Sequence, residues 1–381
     1  MNRIRLGMIG GGQGAFIGNV HRMASRLDDR YELVAGAFSS DSSRCIESAR
    51  ELGVDTARAY ADYQTMAQRE AAREDGIEVA VIVTPNHLHF DIARTMLSAG
   101  IHVICDKPLV TSVEDAVQLE ALVHTSGLLF AVTYNYSGYP LVRQAREMVA
   151  AGELGTLRLV QVEYPQDWLA TKAEAQGLKQ AEWRTDPARA GMGGSLGDIG
   201  THAFHLAEFV SGQQVTSLLA ELDCFVEGRT LDDNAQILLR YSGGAKGSLW
   251  ASQVAIGHEN GLRLRVYGDK ASLEWQQEDP NQLIFQPLGE PRRVLTRAGA
   301  GLYRLSAESS RLPAGHPEGF LEGFANLYRE FADCVEARRA GKDRHITDTL
   351  IPAVGDGVKG VRFIEAAVTS ARAGGVWQSL R

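Results

Sequence analysis

The four cysteines of this 381-residue chain, Cys45, Cys105, Cys224 and Cys334, stand singly. No C-x-x-C pair is present, which excludes a zinc ribbon and a dithiol redox motif and leaves reduced thiols as the simplest state. Basic blocks are missing as well. The 39 Lys and Arg are outnumbered by 47 Asp and Glu, for a net charge of -8, so the electrostatic footprint of a nucleic-acid binder is absent. No apolar run reaches the roughly 20 residues of a membrane helix. The opening MNRIRLGMIGGG lacks the long apolar region and cleavage site of a secretory peptide, so a cytoplasmic location is expected. Internal repeats and low-complexity tracts are lacking too. What remains is an ordinary globular composition, 44% apolar and 23% charged, in a chain longer than one hydrophobic core supports. Two domains are therefore expected.

Ile4 to Ile9 reads as a short buried strand, followed by the cluster GGGQGAFIG at 10–18 and an amphipathic stretch from Val20 to Leu27. Strand, glycine loop and helix in that order turn a glycine motif into a dinucleotide site, because the loop leaves N–H groups free at a helix N-terminus where a pyrophosphate is favoured. The spacing G-x-G-x-x-G/A falls on Gly10, Gly12 and Ala15. Gly18 reads as the true third glycine after an insertion of three residues, with Gly14 inside the loop. Further strands at 32–38, 79–83, 101–105 and 128–132 alternate with helical patterns at 43–52, 63–73, 89–99 and 113–124. This alternation predicts a doubly wound parallel sheet over residues 1–135, with ligand loops at the carboxyl ends of its strands. Polar clusters stand at those ends: Ser39 to Arg44, Thr84 to His87, Asp106 to Pro108, and Tyr134 with Asn135. Such clusters at four successive strand ends fit a cofactor crevice.

The end of the second strand bears on which nicotinamide cofactor is used. About twenty residues past the glycine loop an NAD enzyme offers Asp or Glu to the ribose hydroxyls. Here that position is Phe38, so nothing at it repels a 2′-phosphate, and Ser39 with Arg44 is suited to bind one. That favours NADP; the alternative is NAD with Ser39 on its ribose and Arg44 solvated.

After Asn135 the pattern changes. A helix over 141–151 and a strand over 157–163 lead into a polar, Trp-containing connection at 164–190. Strands follow at 215–226, 235–241, 245–255, 262–267 and 271–276, with turn signals at Ser242-Gly243-Gly244 and Gly268-Asp269-Lys270. These predict an antiparallel meander in a second domain, 136–381, whose helices at 320–338 and 356–373 return to pack on the first. The stretch 289–315, rich in Gly, Pro and Arg, reads as a loop. One open antiparallel face offers a natural place for a second subunit.

Residues 192–206, MGGSLGDIGTHAFHL, carry the chemistry. A helix beginning near Asp198 puts Asp198 and His202 four apart on one face. The pair gives one carboxylate and one imidazole tunable to neutral pH, which suits taking a proton from an alcohol. A capping aspartate and a core-filling histidine explain the same two residues. A metal site would need a third ligand, and none is evident, so no metal is expected.

Together, G-x-G at 10–12, TPNHLH at 84–89, DKP at 106–108 and GGSLGDIGTH at 193–202 resemble the glucose-fructose oxidoreductase, inositol dehydrogenase and rhizopine-catabolism family, Gfo/Idh/MocA, over nearly the whole chain. The resemblance implies an α/β fold: a Rossmann domain, then an α/β domain whose large, mostly antiparallel open sheet forms homodimers or homotetramers. It also implies NAD(P)-linked hydride transfer on a secondary alcohol of a sugar, inositol or related cyclic polyol. Residue by residue, Lys107 matches the family's E-K-P lysine beside the nicotinamide and the reacting hydroxyl. Asp198 and His202 match its aspartate and histidine, the latter as general acid or base. Gly10, Gly12, Gly14, Gly18, Thr84, Asn86, His89, Asp106, Lys107 and Asn135 match the cofactor site, and Ser39 and Arg44 match the serine and arginine that some NADP-using members place on the phosphate. Trp183, Arg184 and His316 lie in loops expected at the mouth of the substrate pocket, which Asp198 and His202 also line.

Three departures stand out. Asp106 replaces the usual Glu, the glycine loop has three extra residues, and Tyr136 and Ser137 stand where many relatives carry an arginine. An NAD-dependent glycosidase acting by transient sugar oxidation, and a cofactor-binding regulator without turnover, are the two alternatives, since a fold does not fix a function.

Overall fold

The protein, seen as a computed structural model, is described for residues 2–342 and 344–380. It divides into two units, one running to Asn135 and taking in Leu321–Val358, the other covering Tyr136–Phe320 and the chain from Lys359 on.

In the first unit, strands β1 (Ile4–Gly10), β2 (Tyr31–Ala37), β3 (Val79–Val83), β4 (His102–Cys105) and β5 (Phe130–Val132) alternate with helices α1 (Phe16–Leu27), α2 (Ser42–Leu52), α3 (Tyr63–Ala71), α4 (His89–Ser98) and α5 (Val113–Ser126). The strands pair in parallel in the order β2-β1-β3-β4-β5. All five residues of β3 are buried, as its unbroken Val-Ala-Val-Ile-Val run requires of a strand covered on both faces. Chain order reverses between β1 and β3, so their carboxyl ends open a crevice at Gly10 and Thr84.

Helix α1 starts at Phe16, four residues before the expected Val20, so the inserted residues form its first turn. Gly18 lies in that turn against the loop. A β-carbon on it would collide with the Gly11 backbone, which is why the third glycine falls there.

In the second unit, helix α6 (Pro140–Ala150) precedes strand β6 (Leu157–Pro165). Two short helices, α7 (Lys179–Arg184) and α8 (Pro187–Ala190), lead to α9 (Thr201–Ser211). Strands β7 (Val215–Asp223), β8 (Asn234–Tyr241), β9 (Lys246–Ser252), β10 (Arg263–Gly268), β11 (Ala271–Gln276), β12 (Gln282–Pro287) and β13 (Arg293–Thr296) follow. Helix α10 is Arg304–Glu308. The chain ends with helices α11 (Phe320–Arg339) and α12 (Val354–Arg372) and a short strand β14 (Gln378–Ser379).

The nine strands run β13-β12-β11-β10-β6-β9-β8-β7-β14. The simple meander is thus corrected: β6 inserts between β10 and β9 and pairs with β9 in parallel. Period-2 patterning shows which residues face the core but not which strand lies beside which, so the inserted strand left no trace in the spacing. The expected loop at 289–315 is corrected too, since it contains β13 and α10.

A buried ion pair orders the chain between β13 and α11. Arg297, 3% exposed, donates to the Glu318 carboxylate at 2.9 Å, to Asn281 Oδ1 and to the Leu312 and Pro313 carbonyls. The core of this unit joins the inward residues of the sheet to α6, α9 and α12, with Phe204 stacked on Phe363 at 4.4 Å. Among the described residues, no helix is long and apolar enough to cross a membrane.

Candidate functional site

The parallel register aligns the carboxyl ends of β1, β3, β4 and β5, so Gly10, Thr84, Asp106 with Lys107, and Asn135 stand along one edge of the first unit's sheet. Around the glycine loop is a cavity of 380 Å³ lined by Gly12, Gln13, Gly14, Ala15, Phe16 and neighbouring residues of α1 and α2. Helix α1 has no side-chain cap at Ala15 and no acid in its first turn, so its leading N–H groups keep their capacity for an anion. Farther along the edge, Thr84 Oγ1 and Asn135 Nδ2 are buried and have no hydrogen-bond partner among the described residues. Buried polar atoms are rarely left so, and a polar cofactor lying across the strand ends would supply what they lack. The residues present therefore fit a dinucleotide.

Asp106 and His89 act on the backbone of this edge. Asp106 Oδ1 accepts from the Thr133 hydroxyl at 2.6 Å and from the Lys107 N–H at 3.1 Å, so the carboxylate, one methylene shorter than glutamate, braces the turn that presents Lys107. The Lys107-Pro108 peptide is cis and the lysine side chain is half-buried. His89, 1% exposed, reaches the Pro108 carbonyl through Nδ1 and the Thr84 carbonyl through Nε2, both at 2.9 Å. Burial lowers its pKa against the pull of Asp106. The ring lies between the carbonyls of the β3 and β4 loops and, when neutral, donates its one N–H to one of them, so what it gives a cofactor is the spacing of those loops. Asn86 is 7% exposed.

At the end of β2, the Phe38 side chain is buried and its carbonyl accepts from Gly12 N. Ser39 Oγ accepts from the Asp41 N–H, and Arg44 is exposed, its main-chain N–H donating to Asp41 Oδ1 at 2.8 Å. Asp41 is thus the N-cap of α2. Hydrogen bonds from Ser43 and from Arg44 N hold its pKa below the ordinary aspartate value. A carboxylate does stand in this loop, three residues past Phe38.

In the second unit the helix carrying Asp198 and His202 begins at Leu196, and its first turn, Leu196–Gly200, is a π turn that passes into α9. A π turn takes more residues per turn than an α turn, so four residues are close to one full turn and Asp198 and His202 stay on one side of the helix. Asp198 Oδ2 accepts from Arg184 Nε at 3.1 Å and from Gln253 Nε2 at 2.9 Å. Arg184 in turn lies 4.2 Å over the Trp183 ring. His202, 8% exposed, sets its ring against Tyr136 at 5.0 Å and Tyr164 at 6.4 Å. The tyrosine hydroxyls are hydrogen-bonded to each other, and burial pushes the Tyr136 phenol up to about 12.

Trp183, Arg184 and Asp198 are therefore brought together, and His202 joins aromatic partners that its own motif does not contain. His316 is exposed in the loop pinned by Arg297, to which its carbonyl is hydrogen-bonded, and the contacts linking Arg184 to Asp198 do not extend to it.

Sequence reasoning missed the residue that places the helix. Asp232 takes the N–H groups of Gly194 and Leu196 and the Ser195 hydroxyl, each at 2.7 Å, and its carbonyl takes Ser195 N. Burial raises its pKa while those three bonds oppose the rise. It is a cap supplied from 36 residues or more along the chain, so no local spacing betrays it. A β-carbon at Gly194 would collide with the Asp232 carbonyl, which explains one glycine of the motif.

Residues 4–134 match the model of the oxidoreductase family with an NAD-binding Rossmann fold, GFO_IDH_MocA, and residues 142–274 match the GFO/IDH/MocA C-terminal domain. An uncharacterised oxidoreductase of Bacillus subtilis, YfiI, is 37% identical over 98% of this chain and 96% of its own. The crystal structure of an oxidoreductase from Sinorhizobium meliloti is 52% identical with a TM-score of 0.90, over 99% of this chain and 100% of that one. The inositol dehydrogenase homolog of Azotobacter vinelandii complexed with NAD+ is 41% identical with a TM-score of 0.95, over 99% and 97%. Its complex with NADH and myo-inositol has a TM-score of 0.92 at 40% identity, over 99% and 98%. The chain belongs to the Gfo/Idh/MocA family of NAD-binding oxidoreductases and is a dehydrogenase acting on CH–OH groups.

Proposed function

We propose that the protein oxidises, reversibly, a secondary hydroxyl of a cyclic polyol, with an inositol as the first candidate. The observation that carries this is the buried His202 imidazole on the same helix as a carboxylate, Asp198, that a guanidinium and an amide orient. The myo-inositol complex of the Azotobacter relative supports the same substrate class. When bound, the nicotinamide takes up or returns the hydride at the reacting carbon.

The chain's residues do the rest. His202 takes the hydroxyl proton as the carbon becomes a carbonyl, and gives it back in reduction. Lys107 would stabilise the developing alkoxide, and Asp198 would orient the histidine or the substrate. Gly10, Gly12, Gly14, Gly18, Thr84, Asn86 and Asn135 hold the cofactor. A screen of inositols, monosaccharides and simple glycosides with NAD and NADP, read by the absorbance of the reduced nicotinamide, tests this. Oxidation of at least one inositol or sugar is expected. Aglycone release without net absorbance change would instead support the glycosidase alternative.

Asp41 inclines the cofactor choice to NAD, because its carboxylate is fixed at the N-cap of α2 in the loop after the second strand, where a negative charge repels a 2′-phosphate. Serine at this position keeps an N-cap and removes the charge. Asp41→Ser is expected to raise the NADP/NAD ratio of kcat/KM by about tenfold. An unchanged ratio would mean that the carboxylate does not discriminate.

The solvent face of the nine-stranded sheet supports a homodimer. Leu159 and Leu238 are 46% and 51% exposed on it, among the charged pairs of Glu163, Arg263 and Glu274. Sedimentation at micromolar concentration is expected to give at least twice the chain mass, and a monomer would overturn the assignment.

A further inference from the structure

Trp168 lies on a small apolar cluster of Leu169, Ala173 and Ala181, and it touches the site in two ways. Its ring faces the Arg184 guanidinium, 5.9 Å from the centroid, and Arg184 is the cation paired with Asp198. Its indole N–H is spent on Gln166 Oε1 at 3.0 Å. An indole nitrogen can only donate, and that one constraint propagates. Gln166 must turn its amide nitrogen the other way, where it donates to Asn260 Oδ1 at 2.7 Å. The same Asn260 oxygen accepts from the Tyr164 hydroxyl at 2.7 Å, while Asn260 Nδ2 donates to Gln277. Tyr164 has one proton and has used it. The Tyr136 hydroxyl, its other partner, is therefore the donor of that pair. Tyr136 has then used its own proton and meets any further neighbour as an acceptor. Its ring stands nearly perpendicular to that of His202.

We propose that Trp168 is a positioning residue for the acid–base pair: its ring seats Arg184 against Asp198, and its N–H sets the direction of a four-residue chain so that Tyr136 stands beside His202 as an acceptor and not a donor. The proposal rests on the dehydrogenase reading of His202. An acceptor dipole next to an imidazole favours the protonated ring, the form His202 reaches once it has taken the hydroxyl proton. The reversed chain would present an O–H instead and favour the neutral ring. Tyr136 is accordingly not the acid that returns a proton to the substrate, which agrees with a phenol pushed up to about 12.

Two near-isosteric variants separate direction from charge. In Gln166→Glu the new carboxylate still accepts from Trp168 but can no longer donate, so Asn260 must flip and Tyr164 and Tyr136 reverse. In Asn260→Asp the original direction survives with the same added charge. Gln166→Glu is expected to lose about tenfold more kcat than Asn260→Asp, and the acid limb of its kcat/KM profile is expected at lower pH than that of Asn260→Asp. Trp168→Phe, which keeps a ring facing Arg184, is expected to lower kcat with KM changed less than about threefold. The Tyr136 resonance in protein labelled with 13Cζ-tyrosine is expected to move in Gln166→Glu and to stay near its wild-type position in Asn260→Asp. Coincident kcat and pH midpoints for the two variants, or an unmoved resonance in Gln166→Glu, would overturn the proposal. The resonance needs no substrate, so failure of every alcohol in the screen counts against the dehydrogenase reading alone.

Discussion

Replacing His202 with alanine lowers kcat for alcohol oxidation by about two to four orders of magnitude, the range that a positioned general base contributes. The loss belongs to chemistry and not to folding. His202 lies in α9 one residue past its start, where alanine is the better helix former. The Asp232 carboxylate that sets the helix in place holds Gly194 and Leu196, upstream of His202. The pyrophosphate loop belongs to the other unit, so NAD affinity measured by fluorescence quenching is expected within about twofold of wild type. Imidazole added to His202→Ala is expected to restore part of the rate, since the variant leaves a cavity where the ring lay. Wild-type turnover in His202→Ala, on an alcohol that the enzyme oxidises, would remove the residue from the mechanism. Turnover lost together with NAD binding would point to misfolding, and the conservative His202→Gln would then carry the test.

The parallel sheet of the first unit was legible because each of its strands is a local pattern: Val79 to Val83 is buried on both faces and says so in its composition. The second sheet was legible only in part. Leu283 and Phe285 alternate inward as the strands before them do, but β13 is short and forms the sheet edge in a stretch whose Gly, Pro and Arg content signals a loop. The Arg297–Glu318 pair that orders this stretch spans 21 residues, and a buried charge pair has no period. The candidate site divides in the same way. Its motif residues, Gly18, Lys107, Asp198 and His202, could be picked out from spacing and resemblance. Their environment could not: Arg184 and Gln253 on Asp198, Asp232 at the helix start, and the tyrosines beside His202 come from separate elements and meet only after folding. Asp41 shows a third kind of miss. In the sequence it stood only as one member of the polar cluster after the second strand, and folding makes it the cap of α2.

Acid should destabilise the protein well before its carboxylates protonate, and the cause is two histidines held neutral in the first unit. His21, on α1, is fully buried; its Nδ1 is 2.7 Å from the Tyr328 hydroxyl and its Nε2 has no partner among the described residues. A protonated ring would carry a second N–H with nowhere to donate, and burial lowers the pKa from 6.5 to about 4, only partly opposed by Asp106. His102 is also lowered to about 4, by burial and then by Arg338, and its Nδ1 accepts from Leu129 N, a bond that protonation would break. In the unfolded chain both rings titrate near 6.5, so between that pH and about 4 the unfolded state binds more protons. Stability is then full above 6.5 and falls as the pH drops toward 4. For His21 the loss is about 2 kcal/mol by pH 5 and about 3 kcal/mol by pH 4, with His102 adding in the same direction. Because the His21 contact fastens α11 to the helix whose first turn is proposed to hold the pyrophosphate, NAD affinity is expected to weaken over the same window. Urea unfolding at pH 7.5, 6 and 5 checks the stability, and NMR titration of the two imidazoles checks its source. A stability that stays flat from pH 7.5 to 5, or rings that titrate near 6.5 in the folded protein, would show that these histidines are not the acid-sensitive groups.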